Sequence, residues 1–598
     1  MKRFVSLALA LALILLACVY AQAEELPIFE HSVDWDAEYD VIVVGLGAAG
    51  ASTAITAAEA GANVLVLEKA PEGHAGGNSA VCMQWAAMVD DKEQAMTYMK
   101  SMREDFETPT DEMIDVYISE VMNNEQWLTD LGAPNVTRHE WVEFPDMEGA
   151  GSIFLLTVDG NLGFSQAGLK PSGALYKFLK DKVESFENVT VWYEAPATHL
   201  VQDKNTRIVH GVEAEIDGEP VLVRAKDGVV LCCGGYESNA RMLEDFNDVH
   251  DSPSLANAIY NTGDGIMMAL EAGARLWHMS NIVGPNTGYR FDSDAMTFGA
   301  SAGKGMLVGG DGAVYKSVGR SGHGKMLFYG NYTLALYPQR TFAIYDANSV
   351  GVQPIHHSFS EGNAWEIEHG FYTIADTIEE LAEAIDVPAE TLVASVEEFN
   401  AAAEYPIEEG PFYSIPISHC VGNTQGGPER GLGGEIIALD GTPIPHLYEA
   451  GELGDVWSHC YQASCNIGGG MAYGRISGTN AAAPKTDNWD GSVMEEKTPY
   501  TYVIEEPEFE VGENQYLGRG EGKGQVPMVV RVTVAEGDIT DVEILEDWET
   551  PGFADRAKEE TIAQIIETDQ AVVDVISGAT MTSVGIMSAV ADALSNID

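Results

Sequence analysis

Apolar and polar positions along the chain fall into runs of two kinds. The uninterrupted apolar run 41–44, entered through Tyr39 and Asp40, has the pattern of a short strand buried on both faces. After a glycine-rich turn, the small and apolar residues 51–60 predict a helix that Gly61 stops. A second apolar run, 63–67, ends on Glu68. Strand, turn, helix and strand together form a βαβ unit. From about 277 to 412 this rhythm lapses into scattered glycines, aromatic residues and short strands, followed by helical patterns at 377–385 and 388–404. Beyond Ala482 the composition shifts to Pro, Asp, Lys and Thr, and a linker is expected over 486–506. The last stretch opens on Gly512 and further glycines at 518, 520, 522 and 524. It continues as a strand at 527–535, a turn at Glu536-Gly537-Asp538, a strand at 539–545, and helices at 554–567 and 583–594.

The first turn has chemistry written into it. Gly45, Gly47 and Gly50 occupy the G-x-G-x-x-G positions. The first permits a tight turn, the second lets backbone approach a pyrophosphate, and the third lets the helix press on the strand; the helix N-terminus then faces the phosphates. Glu68 follows Gly50 at the distance suited to a ribose 2′-hydroxyl. The motif, in order with its strands and helix, predicts a dinucleotide site.

Charge and cysteine content narrow the partners. The 598 residues suffice for several domains, and the net charge of −61 repels nucleic acid and anionic membranes alike. Seven cysteines include no Cys-x-x-Cys-His and no zinc spacing, so neither covalent c-type haem nor a metal site is expected; buried thiols are the simplest reading, with one disulfide left open. Lys2 and Arg3, then an uncharged stretch to Ala23, then Glu24 and Glu25, form the layout of a secretory signal over 1–23. Its end reads two ways: Ala21-Gln22-Ala23 fits cleavage, and Leu15-Leu16-Ala17-Cys18 resembles a lipoprotein signal that would lipidate Cys18. Either predicts export, as a periplasmic, cell-surface or secreted protein.

Gly76-Gly77-Asn78-Ser79 resembles the second flavin-phosphate loop of the FAD-dependent fumarate reductase family, which includes urocanate reductases and 3-ketosteroid dehydrogenases. The resemblance recurs in order at Leu231-Cys232-Cys233-Gly234-Gly235-Tyr236, Thr262-Gly263-Asp264-Gly265, Asn423-Thr424-Gln425-Gly426-Gly427-Pro428, Leu447-Tyr448-Glu449-Ala450-Gly451-Glu452 and Gly474-Arg475-Ile476-Ser477-Gly478. It implies non-covalent FAD touched by Gly45, Gly47, Ala49, Gly50, Glu68, Gly77, Asn78, Ser79, Asp264 and Glu452, with the segment 469–472, including Met471 and Ala472, under the isoalloxazine. It also implies a cap that closes on substrate. Separately, the ten residues from Asp574 to Ser583 resemble the attachment signal of FMN-binding domains, in which a transferase esterifies the FMN phosphate to the final Thr, here Thr580. The expected fold is α/β: a Rossmann-like FAD-binding domain at 36–272 and 413–485, an inserted α+β capping domain at 273–412, and a small α+β FMN-binding domain at 507–598.

Two flavins on one chain imply an exported reductase that takes electrons from a membrane or extracellular donor through FMN to FAD and then to a C=C bond, as in anaerobic respiration. Departures from the family pattern bear on the substrate. Gly422-Asn423 stands where fumarate reductases have His-His, and Asn466 stands where they have Arg, so two carboxylate anchors are missing and an unsaturated acid or enone other than fumarate is favoured. Direct alignment puts Gly322 at the proton-donor position, leaving Arg320, His323 and Tyr461 as candidate acids; His278, Arg290, His419 and His459 are candidate pocket residues. Against these stand ordinary roles: a salt-bridging Arg, a solvated His, a packing Tyr. Two other functions stay open, a 3-ketosteroid-type dehydrogenase and a non-catalytic flavin electron carrier. Oligomeric state is not legible.

Overall fold

The computed structural model describes residues 28–29, 34–159, 174–203, 206–250, 258–284, 286–290, 296–298, 303–315, 321–334, 340–355, 359–485, 509–520, 528–547, 554–576 and 579–597. The expected signal and Cys18, the linker 486–506, Arg320, and Ser577 and Gly578 lie outside them. The chain divides into two compact units, 1–500 and 501–598.

In the first unit, the strand Ala37–Val44 lies between Val64–Leu67 and Glu219–Leu231, parallel to both. Val189–Trp192 extends the sheet on one side, while Val209–Ile216 and Ala197–Asp203 extend it on the other as antiparallel strands. Pro443–Glu449 joins parallel to Glu219–Leu231, so a segment from beyond the insertion completes the same sheet. The run 41–44 is at most 5% exposed, as its unbroken apolar pattern requires. The helix spans Ala48–Glu59 and begins three residues earlier than expected, which places Gly50 in its first turn. A Cβ at Gly50 would sit 1.9 Å from the Gly45 carbonyl oxygen, so only glycine lets the helix start against its own turn.

The helix Cys465–Ala482 packs along Ala48–Glu59 on a seam of small residues. Cβ atoms at Gly474 and Gly478 would each lie 2.7 Å from a carbonyl oxygen, of Ala49 and of Thr53.

The insertion is a six-stranded sheet in the order Met296–Phe298, Asn286–Arg290, Phe412–Cys420, Thr341–Tyr345 and Met306–Gly309, with Thr373–Ala375 also paired to Phe412–Cys420. Helices Ile378–Ala384 and Ala389–Asn400 supply Leu381, Leu392 and Val396 to a core with Met306, Val308 and Ile344. Phe412–Cys420 is central in this sheet, so the inserted sheet runs on to Cys420, past the boundary at 412 expected from the sequence. Two antiparallel bridges flank the passage into and out of it: Leu276–Trp277 with Gly427–Pro428, and Ile282–Val283 with Asn423–Thr424. A separate three-stranded hairpin sheet holds Ser321–Gly322, Lys325–Phe328 and Asn331–Leu334.

In the second unit, Gln515–Gly520, Met528–Ala535 and Asp538–Glu546 form an antiparallel sheet under helices Asp555–Thr568 and Thr580–Ser595. Two of the glycines that open this unit, Gly518 and Gly520, have a packing reason. Cβ atoms at Gly518 and Gly520 would lie 2.0 Å and 2.1 Å from carbonyl oxygens of Thr580–Ser595, so helix and strand touch backbone to backbone. Among the described residues no helix is long and apolar enough to cross a membrane, and six cysteines are free thiols.

Candidate functional site

The glycine turn builds the first part of the site. Helix Ala48–Glu59 starts from Gly47 in extended backbone, with no side-chain cap and no acidic residue in its first turn, which suits an anion. The Ala48 N–H donates to Ser79 Oγ at 2.9 Å, tying the helix start to the second glycine loop. That loop needs glycine: Gly76 and Gly77 have φ of +104° and +49°, and a Cβ at Gly76 would lie 2.2 Å from the Tyr176 ring. Buried Glu68 accepts from the Leu46 and Ala70 N–H groups at 3.0 Å and 2.9 Å. A carboxylate offers more lone pairs than these two bonds use, so Glu68 can hold the turn and still receive a ribose hydroxyl. Asp264 opens the helix Asp264–Glu271 and pairs with Lys69 at 2.6 Å.

A buried acidic cluster follows. Asn78 Nδ2 donates to Glu237 Oε1 at 2.6 Å, to the Gly422 carbonyl at 3.2 Å and to Glu452 Oε2 at 3.4 Å. Asn261 also donates to Glu237, and Asn466 Nδ2 donates to Glu452 Oε1 at 3.0 Å. Burial raises the pKa of both acids, and the charge of Glu237 raises Glu452 further, so the cluster tends to retain a proton. Asn78 Oδ1, Glu237 Oε2, Gln425 Oε1 and Asn466 Oδ1 are buried without a hydrogen-bond partner. Buried acceptors of this kind call for a ligand rich in N–H and O–H donors, and a flavin nucleotide is such a ligand. The residues present therefore fit the cofactor that the glycine turns imply. Glu237 was not singled out in the sequence.

Arg430 was missed as well. It is 1% exposed, bonds Glu449 at 3.2 Å and the Gly451 and Leu453 carbonyls at 2.8 Å and 2.9 Å, and lies over the Tyr473 ring. It fixes the 449–455 turn, whose Gly451 abuts Ala49. Met471 and Ala472 are fully buried in the helix Cys465–Ala482, and Gly470 in the same turn lies against Ala49.

The insertion meets this framework at the loop before that helix. Buried Tyr461 accepts the Asn466 N–H at 3.2 Å through its hydroxyl, which burial holds well above the usual phenol range. His323, from the turn between Ser321–Gly322 and Lys325–Phe328, packs edge to face on Tyr461, and its Nδ1 is 2.9 Å from Glu143 Oε1. Gly324 anchors the turn, since a Cβ there would lie 2.0 Å from the Gly284 carbonyl oxygen. His459 donates through Nε2 to the Tyr332 carbonyl at 2.8 Å, lies 3.4 Å from Glu104 Oε2 and stacks on Phe106. Burial and nearby Lys325 lower its pKa to about 4.

Of the sequence candidates, His323, Tyr461 and His459 therefore converge where hairpin and loop meet. His278 sits beside the passage into the insertion: its Nδ1 donates to the Asp455 carbonyl at 2.8 Å and its Nε2 is 3.0 Å from Thr108 Oγ1, with burial lowering its pKa to about 4. His419 Nε2 is 2.9 Å from Thr341 Oγ1 within the inserted sheet. Arg320 and the Arg290 side chain lie outside the described residues.

In the second unit, Thr580 is exposed and is the first residue of Thr580–Ser595, three residues before the expected helix start. The helix has no side-chain cap and no acid in its first turn. Thr580 thus presents its hydroxyl where a helix N-terminus favours a phosphate.

Residues 40–468 match the family described as FAD binding domain, and residues 522–595 match the FMN-binding domain. The chain is 26% identical over 527 residues to NADH:acrylate oxidoreductase of Vibrio harveyi, an alignment covering 74% of this chain and 50% of that protein. It thus spans half the length of that relative. It is 28% identical over 488 residues to urocanate reductase of Eggerthella lenta, covering 75% of each. Among solved structures, 3-ketosteroid delta1-dehydrogenase from Sterolibacterium denitrificans superposes with a TM-score of 0.61 at 20% identity, over 75% of this chain and all of that one, a likeness of fold.

Proposed function

Because this chain belongs to the FAD binding domain family and carries an FMN-binding domain behind it, we propose that it is a reductase acting on the C=C bond of an unsaturated organic acid or enone other than fumarate. When bound, FAD and FMN supply the electron chemistry. The chain's own residues hold the cofactors, exclude water and deliver a proton. Gly45, Gly47, Gly50, Gly77 and Ser79 line the phosphate end; Asn78, Glu237, Glu452 and Asn466 offer buried acceptors to the ring system; Thr580 is the FMN attachment residue, which requires an FMN transferase.

The observation that carries this reading is the meeting of His323 with Tyr461, 5.2 Å between ring centroids, where hairpin and cofactor framework adjoin. The Tyr461 hydroxyl is the proton donor to the α-carbon, and His323 with Glu143 resupplies it. Burial keeps the phenol protonated through neutral pH, as a donor must be. Gly422 and Asn466, which lack the cationic anchors of fumarate reductases, disfavour a dicarboxylate. The N-terminal signal layout supports export, and with it a membrane or extracellular electron donor.

The test is steady-state oxidation of reduced methyl viologen by the holoenzyme with fumarate, acrylate, urocanate and cinnamate, and with testosterone as an enone. Oxidation stimulated by one or more acceptors other than fumarate is expected. No turnover with any of them, alongside reduction of dyes, overturns the reading in favour of an electron carrier; steroid oxidation with an artificial acceptor and no reduction favours a dehydrogenase.

A further inference from the structure

The cap hairpin holds one charged group that none of the roles above uses. Lys325, the first residue of Lys325–Phe328, is 4% exposed. Among the described residues it makes no ion pair and no side-chain hydrogen bond; the groups that act on it electrostatically are Cys460 and Glu104. Glu104 is engaged elsewhere, 3.4 Å from His459 Nε2 and accepting the Tyr332 N–H at 3.4 Å. Removing an ammonium from water without a partner is unfavourable, and burial lowers the Lys325 pKa to about 8. A lysine in that state still carries its charge at neutral pH and gains most from an arriving anion.

Its position says which anion. Lys325 lies two residues from His323, which touches Tyr461, and its field reaches His459 and Cys460 just before Tyr461 in the chain. The cation and the candidate proton donor therefore share one seam. The positions that resemblance assigns to carboxylate anchors hold Gly422, which has no side chain, and Asn466, which is bonded to Glu452. Ligand atoms of Glu104, His459 and Cys460 lie within 4.8 Å of one another, a spacing a metal ion could use. The Lys325 charge opposes a dication there, and the His459 Nε2 proton is already committed to the Tyr332 carbonyl.

We propose that Lys325 binds the single carboxylate of the substrate, so that the acceptor is a monoanionic enoate and not a neutral enone. The assignment rests on the reductase reading and narrows it. Lys325 pairs with one carboxylate oxygen, and the C=C bond conjugated to that carboxylate lies toward Tyr461.

The experiment compares wild type, Lys325→Met and Lys325→Arg holoenzymes with acid and neutral forms of one skeleton, cinnamate against cinnamamide and urocanate against its methyl ester. Wild type is expected to favour the acid. Loss of a charge-assisted contact in Lys325→Met should raise KM for the acid about 10-fold or more, leave the neutral form little changed, and be partly reversed in Lys325→Arg. A binding arm needs no turnover: 3-phenylpropanoate should raise the unfolding midpoint of wild type and not of Lys325→Met. The ligand-free Lys325→Met protein should itself unfold at a higher temperature than wild type, because it lacks a buried unpaired charge. Unchanged acid preference in Lys325→Met, or equal protection of both proteins by 3-phenylpropanoate, overturns the assignment. Turnover of neutral enones alone overturns it while the reductase reading stands. Selective protection of wild type without turnover of any acceptor supports the anion site and overturns the reductase reading instead.

Discussion

His323 and Tyr461 pack with ring planes 79° apart, and Glu143 stands 2.9 Å behind the imidazole. A carboxylate, an imidazole and a phenol thus lie in a row that begins in the cofactor-binding framework, crosses the inserted hairpin and returns to that framework. Tyr461→Phe removes the hydroxyl and keeps the packing against His323 and Trp457. We expect kcat to fall by about 100-fold or more, with KM nearly unchanged. Glu143→Gln and His323→Ala should give smaller losses, and both should shift the pH profile of kcat. Retention of full kcat in Tyr461→Phe removes it as the essential acid.

Gly474→Ala places a Cβ 2.7 Å from the Ala49 carbonyl oxygen and 2.8 Å from Ser52 Cβ, so the two helices must shift to admit it. A loss of about 1–3 kcal/mol in denaturant unfolding is expected, accompanied by weaker FAD retention through gel filtration. Gly73→Ala is the control, since nothing lies within 4 Å of its added Cβ. Equal effects for the two substitutions would show that the seam is not tight.

The two flavin attachments should separate cleanly. Thr580→Ala is expected to abolish flavin fluorescence that survives denaturing electrophoresis. Glu68→Ala should leave that band intact and lower FAD occupancy, because it removes the carboxylate that also orders the Leu46 and Ala70 amides. A fluorescent band persisting in Thr580→Ala would move the ester to another residue.

His278 gives the protein a pH dependence of defined sign. Its pKa falls from 6.5 to about 4 on folding, with burial the largest cause. Between those values the unfolded chain binds a proton that the native state refuses. The stabilisation is complete above pH 6.5 and is lost as pH drops toward 4, amounting to about 3 kcal/mol. The unfolding midpoint of wild type should therefore fall more steeply over this window than that of His278→Gln, and parallel curves would contradict it.

Local chemistry was readable in the sequence where one short segment carries it. The turn at Gly45, Gly47 and Gly50 is an example, because each glycine's task depends on neighbours within a few residues. The acidic cluster was only half readable: Asn78 and Glu452 follow from resemblance, whereas Glu237 reaches Asn78 from 159 positions away and has no local signature. Lys325 and Arg430 are buried cations, and nothing in the polarity of a lone basic residue announces burial. The sheet boundary at Cys420 was hidden by Pro416, a residue that normally argues against a strand and here sits within one, paired with Phe342. The helix starts at Thr580, three residues before the expected 583, because Thr and Ser, weak formers in a helix interior, are well accommodated in a first turn.

The glycine seam between Ala48–Glu59 and Cys465–Ala482 also governs where this molecule can vary. A Cβ at Gly474 or Gly478 meets a backbone oxygen, so these two positions of the seam are closed to larger residues. The tip of the hairpin sheet is the opposite case, with Phe328 45% and Tyr329 93% exposed beside a turn that packs against nothing at Gly330. On the reductase reading proposed above, the exposed hairpin tip is the place where side chains can change without disturbing the glycine seam.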